Sequence, residues 1–95
     1  MEEHGFEWDD AKAERNYRKH GVDFPDATEV FDDPLRLEWR DVREDYGEER
    51  FCTVGEIKRR VLFVAYTMRA EKIRIIMARR ASRKEKGDYY GNRQI

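Results

Sequence analysis

Two short stretches of this chain carry side chains suited to phosphate chemistry. Lys19-His20 stands just before Gly21, where a helix should end. A run of apolar residues in the second half, Ile73-Arg74-Ile75-Ile76-Met77-Ala78-Arg79-Arg80, is laced with arginines, with Arg69 before it and Glu49-Arg50 at the start of an earlier strand. A guanidinium is always charged and forks onto two oxygens at once, so arginines gathered on a sheet suit a phosphate. Cutting RNA without a metal needs three services. The 2′-OH must lose a proton, the charge on the phosphorane must be stabilised, and the 5′-oxygen must gain a proton. Arginines can supply the second electrostatically, and His20 or Glu49 one of the proton transfers. Each residue also has a plainer reading: His20 as a helix-end cation, Glu49 as a salt-bridge partner, Tyr89 as an amphipathic anchor.

Other chemistries have less support. With His4, His20 and Cys52 as the only histidines and cysteine, no zinc spacing exists. Asp32-Asp33 lacks a cation-loop signature and reads as a solvated helix end. Cys52 falls in a strand pattern and reads as a small core residue, so it offers no nucleophile. There is no glycine-rich phosphate loop, and no metal or cofactor is expected.

The elements that must position these groups can be read from period and punctuation. Residues 9–20 form a helix opened by Asp9 or Asp10 and closed at Gly21, with Phe6 and Trp8 pinning it to the core. A shorter helix follows from about Pro25 to Phe31, capped near Asp23 and stopped at Pro34. The period then becomes two. Strands are expected over Leu35–Arg40, Arg50–Val54, Arg60–Tyr66 and Lys72–Arg79, with turns at Gly55–Lys58 and Thr67–Glu71. Strict alternation on the last strand would put Ile73, Ile75, Met77 and Arg79 on one face and Arg74, Ile76, Ala78 and Arg80 on the other. Ser82 and Glu85 have capping-box spacing for a final helix, and residues from Gly91 onward should fray. The expected fold is α+β: two N-terminal helices, a four-stranded mainly antiparallel sheet and one C-terminal helix, with the helices on one sheet face.

Size and charge set the frame. The 95 residues suit one domain over 1–95, with an ordered core of about 6–90. Charged residues make up 43%, where about a quarter is usual. The net charge of −1 conceals a division. Residues 1–50 hold 17 Asp/Glu against 8 Lys/Arg, and residues 51–95 hold 4 against 12. The two halves can neutralise each other in the fold, or leave a basic surface for a phosphate. One cysteine excludes an internal disulfide and fits a reducing cytoplasm. The acidic start Met1-Glu2-Glu3-His4 leads into no apolar signal segment. The longest apolar run, Val61 to Tyr66, is too short for a bilayer, so no membrane contact is expected.

Several of these stretches together resemble the BrnT family, toxins of bacterial type II toxin–antitoxin pairs. They are Phe6-Glu7-Trp8-Asp9 with Lys12 and Asn16; Lys19-His20-Gly21-Val22 with Phe24; Ala27 and Val30-Phe31 with Asp33-Pro34; Glu48-Glu49-Arg50-Phe51 with Gly55; and Arg69. The series ends with Ile73-Arg74-Ile75-Ile76, Ala78-Arg79, Ala81, Glu85 and Tyr89. The resemblance implies a RelE-like ribonuclease fold and RNA cleavage that blocks translation in the cytoplasm. It also implies a BrnA-like ribbon-helix-helix antitoxin. That partner would mask the toxin in a heterotetramer of two toxins and two antitoxins, and would alone bring the complex to operator DNA. By position it implies Lys19, His20, Arg69, Arg79 and Glu49 for catalysis, and Arg50, Arg74 and Arg80 for RNA binding. Where members usually carry serine, this chain has Met77. That departure favours an alternative reading, a catalytically weak binding module that forms an autorepressing complex. Direct DNA binding has less support, because the chain is not basic overall and shows no helix-turn-helix.

Overall fold

The structure is a computed structural model that describes residues 2, 3 and 5–92. Its centre is an antiparallel sheet of three long strands, β4 (Arg50–Ile57), β5 (Arg60–Arg69) and β6 (Lys72–Arg80). β3 (Leu37–Asp41) closes one edge, antiparallel to β4. At the other edge β2 (Phe6–Glu7) runs parallel to β6, and β1 (Glu2–Glu3) pairs antiparallel with β2. The order is β1-β2-β6-β5-β4-β3.

This corrects the expected α+β arrangement of two N-terminal helices, a four-stranded mainly antiparallel sheet and one C-terminal helix. The sheet has six strands and is mixed, and the chain enters it before any helix. Helices α1 (Asp10–His20) and α2 (Phe24–Thr28), with a 3₁₀ turn at Glu29–Asp32, are inserted between β2 and β3. A two-residue strand has no period to read, and the partner of Phe6–Glu7 lies at Ile73–Arg74. Nor do the helices share one face. Trp8, Val22, Phe24, Ala27 and Val30 pack with Leu62, Val64, Ile75 and Ala78, whereas Tyr89 of α3 (Arg83–Asn92) packs with Cys52, Val54, Val61 and Phe63. The sheet is therefore sandwiched, with α1 and α2 on what we term the inner face and α3 over part of the outer face.

Local chemistry explains the helix ends. Asp9 accepts from the Lys12 N–H at 3.0 Å, and Gly21, at φ +71°, donates its N–H to Tyr17 at 2.8 Å. Asp23 caps α2 through Asp26 N–H at 2.9 Å. Ser82 and Glu85 form the expected reciprocal capping box, at 3.1 and 2.8 Å. Gly91 and Asn92 still belong to α3, and the remainder of the expected frayed tail, 93–95, lies outside the described residues, as does His4.

Gly55 is in β4 rather than in a turn. A Cβ there would meet Val30 Cγ1 at 2.8 Å, so glycine serves close packing against the 3₁₀ turn. The β4–β5 turn falls on Lys58-Arg59 and the β5–β6 turn on Ala70-Glu71, all four at positive φ. Two positive-φ residues between paired strands give the twist-matched hairpin connection, here made without glycine.

Candidate phosphate-binding face and its two ends

β6 does not alternate strictly. Ala65 pairs with Met77 and Tyr66 with Ile75, so Ile76 is an extra, bulged residue. The bulge corrects the expected face assignment. Ile73 and Ile75 share the inner face with Ala78 and Arg80, while Arg74 joins Met77 and Arg79 on the outer face. By the same registers Arg50 and Arg69 also fall on the outer face. Four of the candidate arginines thus stand on one side of the sheet.

They do not converge on one point. Arg69 is paired with Lys72, seven residues from Arg79 along β6. At about 3.3 Å per residue this separation is roughly 20 Å, too far for both to hold one phosphate. At the near end Glu48 sits between Arg69 and Arg50, at 3.2 and 3.9 Å, and the Arg50 guanidinium lies 4.1 Å from the centre of the Tyr46 ring. Arg50 Nε is buried with no hydrogen-bond partner among the described residues. Arg74 is paired with Glu7 at 2.8 Å. Glu49, just ahead of β4, is paired with Arg40 at 3.3 Å.

At the far end Arg79 lies 4.1 Å over the Phe63 ring. Glu85 accepts from its Nη1 and Nη2 at 2.8 and 3.0 Å, and the Arg80 carbonyl takes a second Nη1 hydrogen at 3.1 Å. The Nε–H and the other Nη2–H have no partner among the described residues, which leaves one side of the guanidinium available to two oxygens. Burial alone would raise the Glu85 carboxyl. Hydrogen bonds from Arg79 and Ser82 outweigh it and hold the group below its ordinary value, so Glu85 stays an anion that fixes Arg79. A groove of about 400 Å³ opens here between Trp39, Arg43, Cys52, Phe63, Met77, Arg79 and Glu85. Met77 shares the Arg79 face, as alternation suggested, and lines this groove.

Lys19 and His20 reach the same end by another route. Asn16, buried in α1, donates to the carbonyls of Val22 and Ala78 at 3.0 and 2.8 Å and accepts the Ala78 N–H at 3.2 Å. Its amide therefore binds the free edge of β6 as a neighbouring strand would. Lys19 and His20 follow at i+3 and i+4, on the same side of α1 and one turn of about 5.4 Å further. The end of α1 consequently stands beside the Ala78–Arg80 end of β6. His20 is half-buried and Lys19 exposed, and neither has an ion-pair partner among the described residues.

The structure thus divides the candidate set in two. Lys19, His20, Arg79 and Arg80 lie toward the end where α1 and β6 finish, with Arg79 on the sheet face opposite α1; Glu49, Arg50, Arg69 and Arg74 lie toward the start of β4 and β6. Sequence reasoning missed Arg43 and Trp39 in the groove. Arg43 lies in a loop without period, forked onto Asp41 at 3.0 and 2.9 Å. That fork holds the Asp41 carboxyl far below the usual range. Glu85 was legible as a cap but not as the partner of Arg79. Cys52 is buried, and burial pushes its thiol up, as suits a core residue. Tyr89 is a buried anchor whose hydroxyl donates to Asp33. Among the described residues no group of three His, Cys, Asp or Glu side chains is placed to hold a metal ion, and no helix is long and apolar enough to cross a membrane.

Arginines lined up on one face of a small α+β sheet are groups whose chemistry suits phosphate oxygens. The family is more definite: the family described as the ribonuclease toxin, BrnT, of type II toxin–antitoxin systems matches residues 8–85, and the chain belongs to it. No curated protein matches the chain.

Proposed function

We propose that this ribonuclease toxin cuts RNA without a metal at the Arg79 end of β6. The carrying observation is the free fork of Arg79, fixed by Glu85, on the strand end whose backbone α1 reaches through Asn16. The 2′-oxygen attacks phosphorus and forms the new P–O bond, the bond to the 5′-oxygen breaks, and a cyclic phosphate and a 5′-hydroxyl result. Arg79 stabilises the charge on the phosphorane. His20 and Lys19 carry the proton transfers from the 2′-OH and to the 5′-oxygen. Arg69, Arg50 and Arg74 hold flanking phosphates rather than the scissile one, with Arg74 five residues back along β6 at about 15 Å and Arg69 at about 20 Å. Glu49 orients Arg40 at that end, too far from Arg79 to serve as the base there. Cleavage of cytoplasmic RNA would stop translation. A BrnA-like ribbon-helix-helix antitoxin masks the outer face in a two-plus-two complex, which reaches operator DNA through the antitoxin.

The test is cleavage of a labelled RNA by the purified chain in EDTA, beside Arg79→Ala with folding verified by circular dichroism. Wild type should cut, and the variant should be slower by about 10²–10³-fold, the usual loss for one such donor. An uncut RNA with folded wild type would instead support a binding module that serves only the repressor complex. One observation favours that second reading: Arg69, Arg74 and Arg79 already hold the carboxylates of Glu48, Glu7 and Glu85.

A further inference from the structure

A second basic site lies past the strand ends, away from the outer-face groove. Arg59 in the β4–β5 turn, Arg60 at the start of β5, Arg80 at the end of β6, and Lys86 and Tyr90 of α3 line a cavity of about 120 Å³. Four cations from four elements meet there. Arg60 is compensated by Asp26 at 3.4 Å, and the Tyr90 hydroxyl donates to Glu56 at 3.3 Å. Arg59, Arg80 and Lys86 have no ion-pair partner among the described residues, unlike Arg69, Arg74 and Arg79 on the outer face. Arg59 is held there at φ +68°, a backbone that disfavours any side chain but glycine's.

Like charges brought together without counterions repel, and an anion in their midst relieves the repulsion. The cavity suits one tetrahedral anion: guanidinium forks and an ammonium converge on a space too small for a folded segment. Its position says which anion. Arg80 follows Arg79 in sequence, about 3.8 Å away at Cα, and the two side chains leave β6 on opposite faces. A polynucleotide with one phosphate at the Arg79 fork can cross the end of β6, past Lys19 and His20, and bring a neighbouring phosphate into this cavity.

We infer that Arg59, Arg60, Arg80 and Lys86 form a phosphate subsite that holds the RNA backbone next to the cleaved linkage. The inference rests on the cleavage site proposed at Arg79, and its test separates the two. A single-stranded 2′-O-methyl RNA lacks the attacking hydroxyl and cannot be cut by this route, so binding can be measured alone. Its affinity for wild type and for Arg59→Ala/Lys86→Ala is followed by fluorescence anisotropy from 0.05 to about 0.3 M salt. Both changed residues are exposed, and melting curves verify that the variant folds.

Losing one phosphate contact should make the slope of log affinity against log salt shallower by about 0.7. At 0.1 M salt that corresponds to roughly fivefold weaker binding. Arg59→Lys/Lys86→Arg, which keeps both charges, should restore most of it. Equal slopes and affinities for wild type and the alanine variant would overturn the subsite. Lost binding to an acidic peptide, with RNA binding intact, would overturn it in favour of a protein partner. Wild-type cleavage of unmodified RNA is run in parallel. If the wild-type and alanine slopes differ as expected but wild type does not cut, the cleavage reading fails and a phosphate subsite for bound RNA stands; if wild type neither binds nor cuts, both fail.

Discussion

Two side chains show how much a single contact carries in a chain this small. Asn16 replaces a strand at the β6 edge, using both ends of its amide. Asn16→Ala leaves the outward groups of Ala78 unpaired in a buried place, and should cost about 2–3 kcal/mol, read from denaturant midpoints. Glu85 is the second case. Its carboxyl lies below its ordinary value of 4.5 in the folded state, so the stability it brings is present in full above pH 4.5. That contribution is lost as pH falls through the lower folded value. Glu85→Gln should therefore lower the melting temperature at pH 7, and wild type and variant should draw together at pH 3. A constant difference across that range would show that Glu85 does not act through its charge. In activity assays the same variant loosens Arg79 without removing it, so its cleavage defect should be smaller than that of Arg79→Ala.

At the scale of elements, the hairpin turns and Gly55 make opposite predictions. Glu71 sits at φ +70° with an ordinary side chain, a strain of about 1–2 kcal/mol. Glu71→Gly removes it and gives back part of the gain to the unfolded chain, so a net stabilisation of about 0.5–1 kcal/mol, a few degrees in melting temperature, is expected. Gly55→Ala drives a methyl into Val30 and should cost about 1–3 kcal/mol. These positions also show where the sequence was readable. The ends of α1 and the capping box at Ser82 were legible because Asp9, Gly21, Ser82 and Glu85 act within four residues of themselves. The long strands were legible through Val61–Val64 and the apolar residues of β6. What failed depended on partners far along the chain. Gly55 looks like a turn until Val30 is placed against it. Phe6–Glu7 becomes a strand only because Ile73–Arg74 is beside it. Ile76 is as apolar as its neighbours, so nothing local marks it as the bulge. For the same reason the arginines were identified as residues, but their faces and their division between two ends were not.

At the scale of the molecule, the acidic first half and the basic second half do meet. Glu7–Arg74, Glu48–Arg69, Asp26–Arg60 and the pairing of Lys58 with Asp26 and Glu29 all join them. The core joins them too, since Trp8, Phe24 and Val30 pack on Leu62, Val64 and Ile75. Exposed pairs are individually worth little, about 0–1 kcal/mol, but neither half can bury its apolar side chains alone. A single proteolytic nick in the exposed loop at 42–45 should leave both pieces together on size exclusion at low salt. Each piece isolated should give the circular dichroism of an unfolded chain. A folded isolated piece would contradict the division of the core drawn here.

The bulge at Ile76 can also be regarded as a change of phase. A strand is a two-stroke sequence, and every side chain before and after an inserted residue keeps its rhythm but trades sides relative to the other segment. Arg74 and Arg79 are five residues apart, an odd interval, and would face away from each other in an uninterrupted strand. One additional residue opposite the Ala65–Tyr66 step brings them onto the same side. The arginine face is thus a matter of counting as much as of composition: deleting Ile76 would make the interval an even four and keep the row without a bulge, whereas drawing Ile76 into the ladder would turn Arg74 and Arg79 to opposite sides.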